Sequence, residues 1–358
     1  MSEELKSLRG RIDQIDEQLI DLITKRAECA REVGRVKAEA GDTQYYRPAR
    51  EAEVLRRVKE RNPGVLADDD MARLVREIMS SCLALEKPLR VAYLGPTGTY
   101  TEAATYKQFG HAVDAAPMAA IDEIFREVES GAAEYGVVPV ENSTEGVVTH
   151  TLDMFMRSSL NICGEVDLRI HHCLLSNADN LSDVDTIYSH QQSFAQCREW
   201  LNANLSGVDR ILVASNARAA EMAAQYKNAA AIAGEVAGEH YKLTALVKNI
   251  EDESENTTRF LVIGKDNVES TGNDKTSLII SARNQPGALF GLLEPFSRHG
   301  VSMTRIESRP SRKGTWDYVF FVDIEGHKDD EIVGAALAEI ESRAAMFRIL
   351  GSFPGKVI

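Results

Sequence analysis

A long run of helical periodicity at the start of the chain restricts its fold more than any other feature. Apolar residues recur there at alternating spacings of three and four, which marks the seam of a long helix, and no proline occurs before Pro48. A helix over residues 5–40 spans roughly 50 Å at 1.5 Å per residue, too long to be covered by the rest of a domain of about 90 residues. We therefore expect partner helices from a second chain. The seam residues are Leu5, Leu8, Ile12, Ile15, Leu19 and Leu22.

Cations follow the apolar seam where packing alone would favour leucine. Arg26 takes the next position of the seam after Leu22, and a buried charge is costly unless it is paired. Lys37 follows 11 residues later (37 − 26), only about 20° around the helix, so that both cations can converge on one anion. Arg9 lies roughly 25 Å from Arg26 and about 100° around the helix, so only an antiparallel partner helix could bring it to the same ligand. A solvated or ion-paired coiled-coil surface is the alternative interpretation of each cation.

Two shorter helices are predicted next, over residues 49–61 and 69–85, the second beginning in an acidic run that suits a helix N-terminus. Short β-rich runs then alternate with helical ones, which predicts an α/β region with a largely parallel sheet. The predicted strands are residues 90–94, 135–140, 186–188, 210–214, 229–233 and 259–263.

The last part of the chain has a different order of elements. The polar stretch VESTGNDK, residues 268–275, is typical of a linker. After it we predict a strand over 276–283, a helix over 288–299, strands over 303–308 and 318–324, a helix over 330–345 and a short strand near 347–350. This βαββαβ order predicts a small ferredoxin-like sandwich.

Composition excludes several classes of protein. The net charge of −14 argues against a nucleic-acid partner, which requires a basic face. No apolar run approaches the roughly 18 residues of a membrane span, and the start MSEELKSLRG has no apolar signal region, so we expect a cytosolic protein without a membrane partner. The five cysteines form no CxxC pair and the eight histidines no HExxH, which predicts neither disulfides nor a bound metal. Without GxGxxG, we expect no dinucleotide cofactor, nor any other cofactor.

The first part of the chain resembles the all-helical chorismate mutase domain, an intertwined dimer with shared active sites. The resemblance rests on the segments LRGRIDQIDEQLIDLITKRAECAREVGRVK, YRPARE and SSCLALE. It implies a site with Arg26 and Lys37 from one subunit and Arg9 from the other. The remaining site residues implied by the resemblance are Arg50, Glu51, Cys82 and Glu86.

The chemistry of chorismate agrees with these residues. Its rearrangement is unimolecular and needs no nucleophile, so a site must hold a compact dianion and stabilise charge developing on the ether oxygen. Arginine forks suit the carboxylates, and Lys37 suits the oxygen. Relatives place an acidic residue where this chain has Arg47, so contact with the substrate hydroxyl is assigned to Glu51. Some relatives have glutamine in place of Glu86, which must be protonated to donate a hydrogen bond to the oxygen.

Four polar clusters in the middle part lie at joins where α/β folds build ligand sites, although each alone also fits plain turn chemistry. Together the segments GPTGTYTEAA, GVVPVENSTEGVV, SHQQSFAQC and NTTRF resemble the prephenate dehydratase family, whose catalytic domain has two α/β lobes around a cleft. The resemblance implies that Thr258 is the essential hydroxyl, a donor beside the departing ring hydroxyl of prephenate. It also implies four further residues of the cleft, namely Glu141, Asn142, Ser189 and Gln196.

The segments NQPGALF and ESRP resemble those of the ACT regulatory domain, a βαββαβ unit that assembles in pairs and binds amino acids. The resemblance implies a phenylalanine pocket, and Gly287 at the helix entrance would leave backbone N–H groups open to a carboxylate. The implied effector-binding residues are Asn284, Gly287, Ala288, Leu289, Glu307 and Ser308.

The combined expectation is a multidomain enzyme with a helical mutase dimer domain over residues 1–89, a two-lobed α/β dehydratase domain over 90–267 and an ACT domain over 275–358. It would act on chorismate and prephenate, respond to phenylalanine and form at least a homodimer. Two alternatives remain open. One is a non-catalytic amino-acid sensor on a dimerising coiled coil, and the other is a dehydratase whose degenerate mutase part serves only for dimerisation.

Overall fold

The structure, a computed structural model, describes residues 3–42, 44–282, 285–310 and 318–357. The chain divides into two units. One comprises Met1–Leu89 with Phe109–Asp114, and the other comprises Arg90–Gln108 with Ala115–Val357.

The first unit is helical, as the periodicity predicts. Its helices are α1 (Glu3–Ala40), α2 (Pro48–Arg61) and α3 (Asp68–Glu86). Pro48 begins α2 at a position where its missing N–H costs nothing, and the aspartates in the first turn of α3 favour the positive end of the helix dipole. Both α1 and α2 pack against α3.

The apolar seam of α1 is exposed in the single chain. Leu8, Ile12, Ile15 and Leu19 are 47%, 55%, 53% and 50% exposed. The buried position of the helix is Gly34, where an added Cβ would lie 3.1 Å from Cα of Glu86, so glycine allows the close approach of α1 to α3. A continuous apolar stripe of this length in water is typical of a protein interface.

Two lobes of α/β structure follow the helical unit. In chain order their elements are β1 (Arg90–Leu94), α4 (Tyr100–Phe109), β2 (Asp114–Met118), α5 (Ile121–Ser130), β3 (Tyr135–Asn142), β4 (Gly146–Val147), α6 (Thr149–Phe155), β5 (Asn161–Arg169), β6 (Cys173–Ser176), β7 (Thr186–Ser189), α7 (Gln191–Gln196), α8 (Arg198–Asn204), β8 (Asp209–Leu212), α9 (Asn216–Ala223), β9 (Ala229–Ala233), α10 (Glu235–Tyr241), β10 (Thr244–Val247) and β11 (Thr257–Gly264). The first lobe has the sheet order β2-β1-β3-β11-β5 with β4 beside β3, and the second has β10-β6-β9-β7-β8.

The sheets are mixed, so the prediction of a largely parallel sheet was wrong. Strand β1 is parallel to β3, and β7 is parallel to β8 and β9, but β11 runs antiparallel to both β3 and β5, and β6 runs antiparallel to both neighbours. The antiparallel pairing arises because the chain returns to the first lobe after forming the second, and β11 then inserts between β3 and β5. The alternation of strands and helices does not reveal such a return.

The last part forms the predicted ferredoxin-like sandwich. Its elements are β12 (Asp274–Ser281), α11 (Ala288–His299), β13 (Met303–Pro310), β14 (Tyr318–Glu325), α12 (Glu331–Arg343) and β15 (Met346–Pro354). The antiparallel sheet has the order β13-β14-β12-β15. The prediction of a polar linker over 268–275 was wrong at both ends, because Val268 and Asp274 are buried. Asp274 accepts hydrogen bonds from Thr271 N at 2.7 Å and Thr271 Oγ1 at 2.6 Å, which makes a compact turn.

This C-terminal sheet shares a hydrophobic core with the first lobe. The shared core includes Val138, Leu261 and Ile263 of the lobe together with Phe321 and Phe353 of the sheet. Gly351 lies so close to β5 that an added Cβ would be 2.2 Å from the carbonyl oxygen of Ile162. Among the described residues, no helix combines the length and apolar character needed to cross a membrane.

Candidate active sites

One candidate site lies where α1 meets the end of α3. Lys37 Nζ is 3.3 Å from Glu86 Oε2 and donates to the carbonyl oxygen of Tyr45 at 3.0 Å. The side chains of Lys37 and Glu86 are only 18% and 10% exposed. Cys82 is buried one turn before Glu86 on α3. The structure therefore brings together three of the residues predicted for the mutase site.

The other predicted mutase residues are distributed over α1 and α2. Arg26 and Arg9 are exposed on α1, and Arg50 is exposed on α2, where it donates to Glu53 at 2.5 Å. Glu51 is buried and accepts from Arg76 Nε at 3.0 Å. Burial raises the pKa of Glu51, although the charge of Arg76 opposes the shift.

A second candidate site is the cleft of the α/β region, a cavity of about 550 Å³. Asn142 at the end of β3 donates to Thr258 Oγ1 and to Asn256 Oδ1, both at 2.8 Å. The Asn142 side-chain oxygen accepts from the backbone N–H groups of Thr144 and Glu145 at 3.0 Å, which fixes the orientation of the amide. Because Oγ1 of Thr258 accepts from Asn142, its own O–H remains able to donate into the cleft.

Gln196 lines the cleft from the second lobe and joins a hydrogen-bonded chain. Its Oε1 is 2.7 Å from Nε2 of buried His172, whose Nδ1 is 2.8 Å from the Tyr100 hydroxyl. Burial lowers the pKa of His172, although the hydrogen bond to Gln196 opposes the shift. Burial also raises the pKa of Tyr100. His172, held in turn by Tyr100, therefore fixes the position of the Gln196 amide.

Two predicted cleft residues do not line the cavity. Ser189 is fully buried beneath it, with its hydroxyl 3.5 Å from Oδ1 of Asn216, which also accepts from Ser193 at 3.1 Å. Glu141 lies on the opposite face of the sheet, because the pairing of β3 with β11 has a bulge that skips Val140. Its carboxylate accepts from Arg305 Nε at 2.7 Å.

Several cleft residues were not predicted individually. Tyr100 and Glu145 belong to segments that carry the family resemblance, so the sequence does point to their neighbourhood. Ser193 likewise belongs to one of these segments, SHQQSFAQC. His172 and Asn216 have no comparable signal, because they reach the cleft only through the packing of the second lobe.

The predicted effector residues lie around the start of α11 and along β13. Gly287 caps α11 in the left-handed conformation, with φ of 79°, which favours glycine, and Leu289 beside it is exposed. Ala288 is half-buried, and Asn284 lies outside the described residues. Ser308 is exposed on β13, whereas Glu307 is opposite Phe321 and therefore faces the first lobe. The sheet thus separates these two predicted contacts onto opposite faces.

Nothing in the described ranges groups three or more histidine, cysteine or acidic side chains suitably for a metal ion. All five cysteines are free thiols.

Known protein families match the three parts of the chain in order. The family model Chorismate mutase type II matches residues 8–87, Prephenate dehydratase matches 91–268 and ACT domain matches 276–342. A bifunctional chorismate mutase/prephenate dehydratase of Stutzerimonas stutzeri is 54% identical over 362 residues, covering 100% of this chain and 99% of the relative.

Solved structures are similar to about three quarters of the chain. The prephenate dehydratase of Arthrobacter aurescens in complex with L-Phe has a TM-score of 0.69 and 33% identity, over 75% of this chain and 90% of that one. GqqA, described as a novel type of quorum quenching acylase, has a TM-score of 0.69 and 30% identity, over 75% of this chain and 98% of that one. On the identity along its full length and the three family matches, the chain belongs to the family of bifunctional chorismate mutase/prephenate dehydratases.

Proposed function

We propose that this chain rearranges chorismate to prephenate in its helical unit and converts prephenate to phenylpyruvate, carbon dioxide and water in its α/β cleft. The observation that carries the proposal is that the matches to the two enzymes cover separate parts of one chain, each of which contains a candidate site.

The helical unit offers Lys37 and Glu86 to the mutase reaction. In chorismate the ether C–O bond breaks while a C–C bond forms, so negative charge develops on the ether oxygen in the transition state. The Lys37 ammonium is suited to donate to that oxygen, and the Glu86 carboxyl, 3.3 Å from Lys37, would be the second group in contact with it. Arg26 and Arg50 would bind the two carboxylates, Glu51 would contact the hydroxyl, and buried Cys82 would line the site.

A second copy of the chain completes this site in our proposal. The exposed seam of α1 needs an apolar cover, and a second α1 packed antiparallel would provide one of the same length and pattern. The same arrangement would bring Arg9 of one copy towards Arg26 and Lys37 of the other. We therefore infer a homodimer at least, with mutase sites shared between the two chains.

The α/β cleft offers Thr258 to the dehydratase reaction. Prephenate loses its ring carboxylate as carbon dioxide, and the electron pair of that C–C bond enters the ring as the hydroxyl departs. A hydrogen-bond donor beside the hydroxyl assists its departure as water. Asn142 orients the Thr258 hydroxyl at 2.8 Å, and Gln196, held by His172, would contact the substrate from the second lobe.

Phenylalanine is the proposed effector of the ACT domain. A structurally similar prephenate dehydratase was solved in complex with L-Phe, and the ACT family match covers residues 276–342. The start of α11 supplies backbone donors for a carboxylate, and exposed Leu289 supplies apolar surface for an aromatic ring. Ser308 on the edge strand would contact the ammonium group.

The similarity to an acylase suggests a different reaction for the same cleft. An acylase with a side-chain nucleophile needs a base beside that nucleophile. Here the Thr258 hydroxyl hydrogen-bonds to the Asn142 amide, and the Ser193 hydroxyl to the Asn216 amide, and neither amide is a base. The cleft chemistry therefore favours the dehydratase.

We also propose that the enzyme works in the cytosol, where five free thiols are stable. The proposal is tested by giving the purified protein chorismate and prephenate separately and analysing the products by chromatography. We expect prephenate and phenylpyruvate from chorismate, and phenylpyruvate from prephenate. Formation of phenylpyruvate from prephenate alone would support the degenerate-mutase alternative, and no product from either substrate would support an amino-acid sensor.

A further inference from the structure

Two charged pairs face each other where the ACT sheet packs on the first lobe. Glu141 and Arg259 are cross-strand neighbours on β3 and β11, and Arg305 and Asp323 are cross-strand neighbours on β13 and β14. The opposite charges meet across the two sheets. Arg305 Nε is 2.7 Å from Glu141 Oε2, and Arg259 Nη1 is 2.6 Å from Asp323 Oδ2.

We call Glu141, Arg259, Arg305 and Asp323 the charge square. Its two residues from the first lobe, Glu141 and Arg259, are each adjacent in sequence to a residue of the cleft. Asn142 follows Glu141, and Thr258 precedes Arg259, and these two cleft residues are themselves the next cross-strand pair. Successive side chains of a strand point to opposite faces of the sheet. The Glu141–Arg259 pair therefore contacts the ACT sheet, while the Asn142–Thr258 pair faces the substrate cavity. Any shift of Glu141 or Arg259 must therefore be transmitted through one peptide unit to the Asn142–Thr258 hydrogen bond.

The arrangement is rigid enough to transmit such a shift. Arg259 also pairs with Glu165 at 2.8 Å, Lys275 pairs with Glu165 at 2.5 Å, and Ser277 donates to Asp323 at 2.5 Å. Burial disfavours the charge on Arg259, but the carboxylates of Asp323 and Glu165 raise its pKa overall. These ion pairs depend on one another, because Nη2 of Arg259 and Nη2 of Arg305 are buried without a hydrogen bond, and removing one member leaves another charge without its partner.

We propose that Arg305 and Asp323 of the ACT sheet are positioning residues for the dehydratase reaction. They act through Glu141 and Arg259 and fix the relative placement of Asn142 and Thr258. This inference rests on the proposed dehydratase function of the cleft. It gives Glu141 a role in turnover although its side chain faces away from the cavity.

A neighbouring ion pair provides a matched control. Arg309 lies on the same strand as Arg305 and is 2.9 Å from Asp153, but Asp153 belongs to α6 rather than to β3 or β11. Asp153→Asn weakens a contact between the same two layers without touching the strand ends that carry Asn142 and Thr258. A purely structural role for Arg305 predicts similar effects of Arg305→Gln and Asp153→Asn.

The experiment measures kcat and KM for prephenate, without phenylalanine, in the full-length Arg305→Gln, Glu141→Gln, Arg305→Lys and Asp153→Asn variants. Because misplacement of catalytic groups by about 1 Å can reduce turnover by up to ~100-fold, we expect the first two variants to lose roughly tenfold or more in kcat with a smaller change in KM. Arg305→Lys should recover part of the loss, and Asp153→Asn should remain close to wild type.

The double variant Arg305→Gln/Glu141→Gln should be no slower than the slower single variant, because both substitutions break the same contact. Circular dichroism and thermal unfolding of each preparation report whether the α/β and ACT parts of the chain are folded. Near wild-type kcat in Arg305→Gln, or an equal loss in Asp153→Asn, would overturn the inference while leaving the dehydratase assignment intact. Wild-type protein without dehydratase turnover would instead contradict the proposed function itself.

Discussion

At the scale of single residues, Thr258 carries the dehydratase proposal. Thr258→Val keeps the shape of the side chain but removes the hydroxyl that Asn142 orients. We expect dehydratase kcat to fall by about 10²- to 10⁴-fold, the usual contribution of a positioned proton donor. Steady-state assays with prephenate measure the effect.

Thr257 provides the control for this substitution, because its hydroxyl donates instead to the Glu255 carbonyl oxygen at 3.1 Å. Thr257→Val should therefore leave turnover nearly unchanged, and mutase activity should be normal in both variants. A folded Thr258→Val protein with full dehydratase turnover would assign the role to another group.

Glu86 is proposed to contact the ether oxygen as a hydrogen-bond donor, a role that the side-chain amide of glutamine can also fill. Mutase kcat should therefore be retained or raised in Glu86→Gln and clearly reduced in Glu86→Ala. Steady-state assays with chorismate measure both variants. If Glu86→Ala keeps wild-type mutase kcat, Glu86 has no such role.

The cleft shows what the sequence predicts at this scale and what it misses. Asn142, Gln196 and Thr258 line the cavity as the motifs indicate. Glu141 does not, because a single bulge at Val140 reverses its face, and a bulge is set by strand pairing rather than by local sequence. His172 was missed because its role depends on contacts with Tyr100 and Gln196, distant in the chain.

At the scale of elements, α1 was the most predictable part of the fold. Its apolar residues recur over several turns, so the pattern alone specifies a helix. Strand β5 was missed because Gly164 and the charged Glu165 interrupt its apolar pattern. Glu165 is explained only by tertiary contacts, since it pairs with Arg259 and Lys275. Strands β6 and β10, of four residues each, were also missed.

The exposed seam of α1 leads to a prediction about shared sites. Arg9 and Arg26 lie 17 residues apart (26 − 9) on one helix, roughly 25 Å, so they can serve one substrate only if two chains contribute. Homodimers of Arg9→Ala and of Arg26→Ala should both lose nearly all mutase activity. Mixed dimers should regain activity at one of their two sites, as measured after co-expression with two affinity tags.

Dehydratase activity of the same mixed dimers is the internal control, since the α/β cleft uses neither arginine. If subunits exchange and the mixed dimers stay inactive as mutases, the shared-site arrangement is wrong.

At the scale of the whole molecule, the ACT sheet links effector binding to the dehydratase. Ser308 lies on β13, the strand that also carries Arg305. A ligand bound next to Ser308 can therefore shift β13 and change the contacts of the charge square. Phenylalanine can inhibit the dehydratase only if it binds one conformation of the protein more tightly than another. We expect Ser308→Ala and Leu289→Ala to raise the inhibitory concentration of phenylalanine roughly tenfold, with uninhibited turnover retained.

Ile332→Ala is the control for these substitutions, because Ile332 is an exposed apolar residue on the other helix of the ACT domain. Its inhibition curve should match the wild type. Equal inhibition of all four proteins by phenylalanine would exclude an effector site at the start of α11.

One chain is proposed to perform two reactions at separate sites. The most direct measurement follows products over time when purified wild-type, Lys37→Ala and Thr258→Val proteins are given chorismate. We expect phenylpyruvate from the wild type, accumulation of prephenate with Thr258→Val, and almost no prephenate with Lys37→Ala, which should still convert added prephenate. Loss of both reactions in either folded variant would contradict the claim of separate sites.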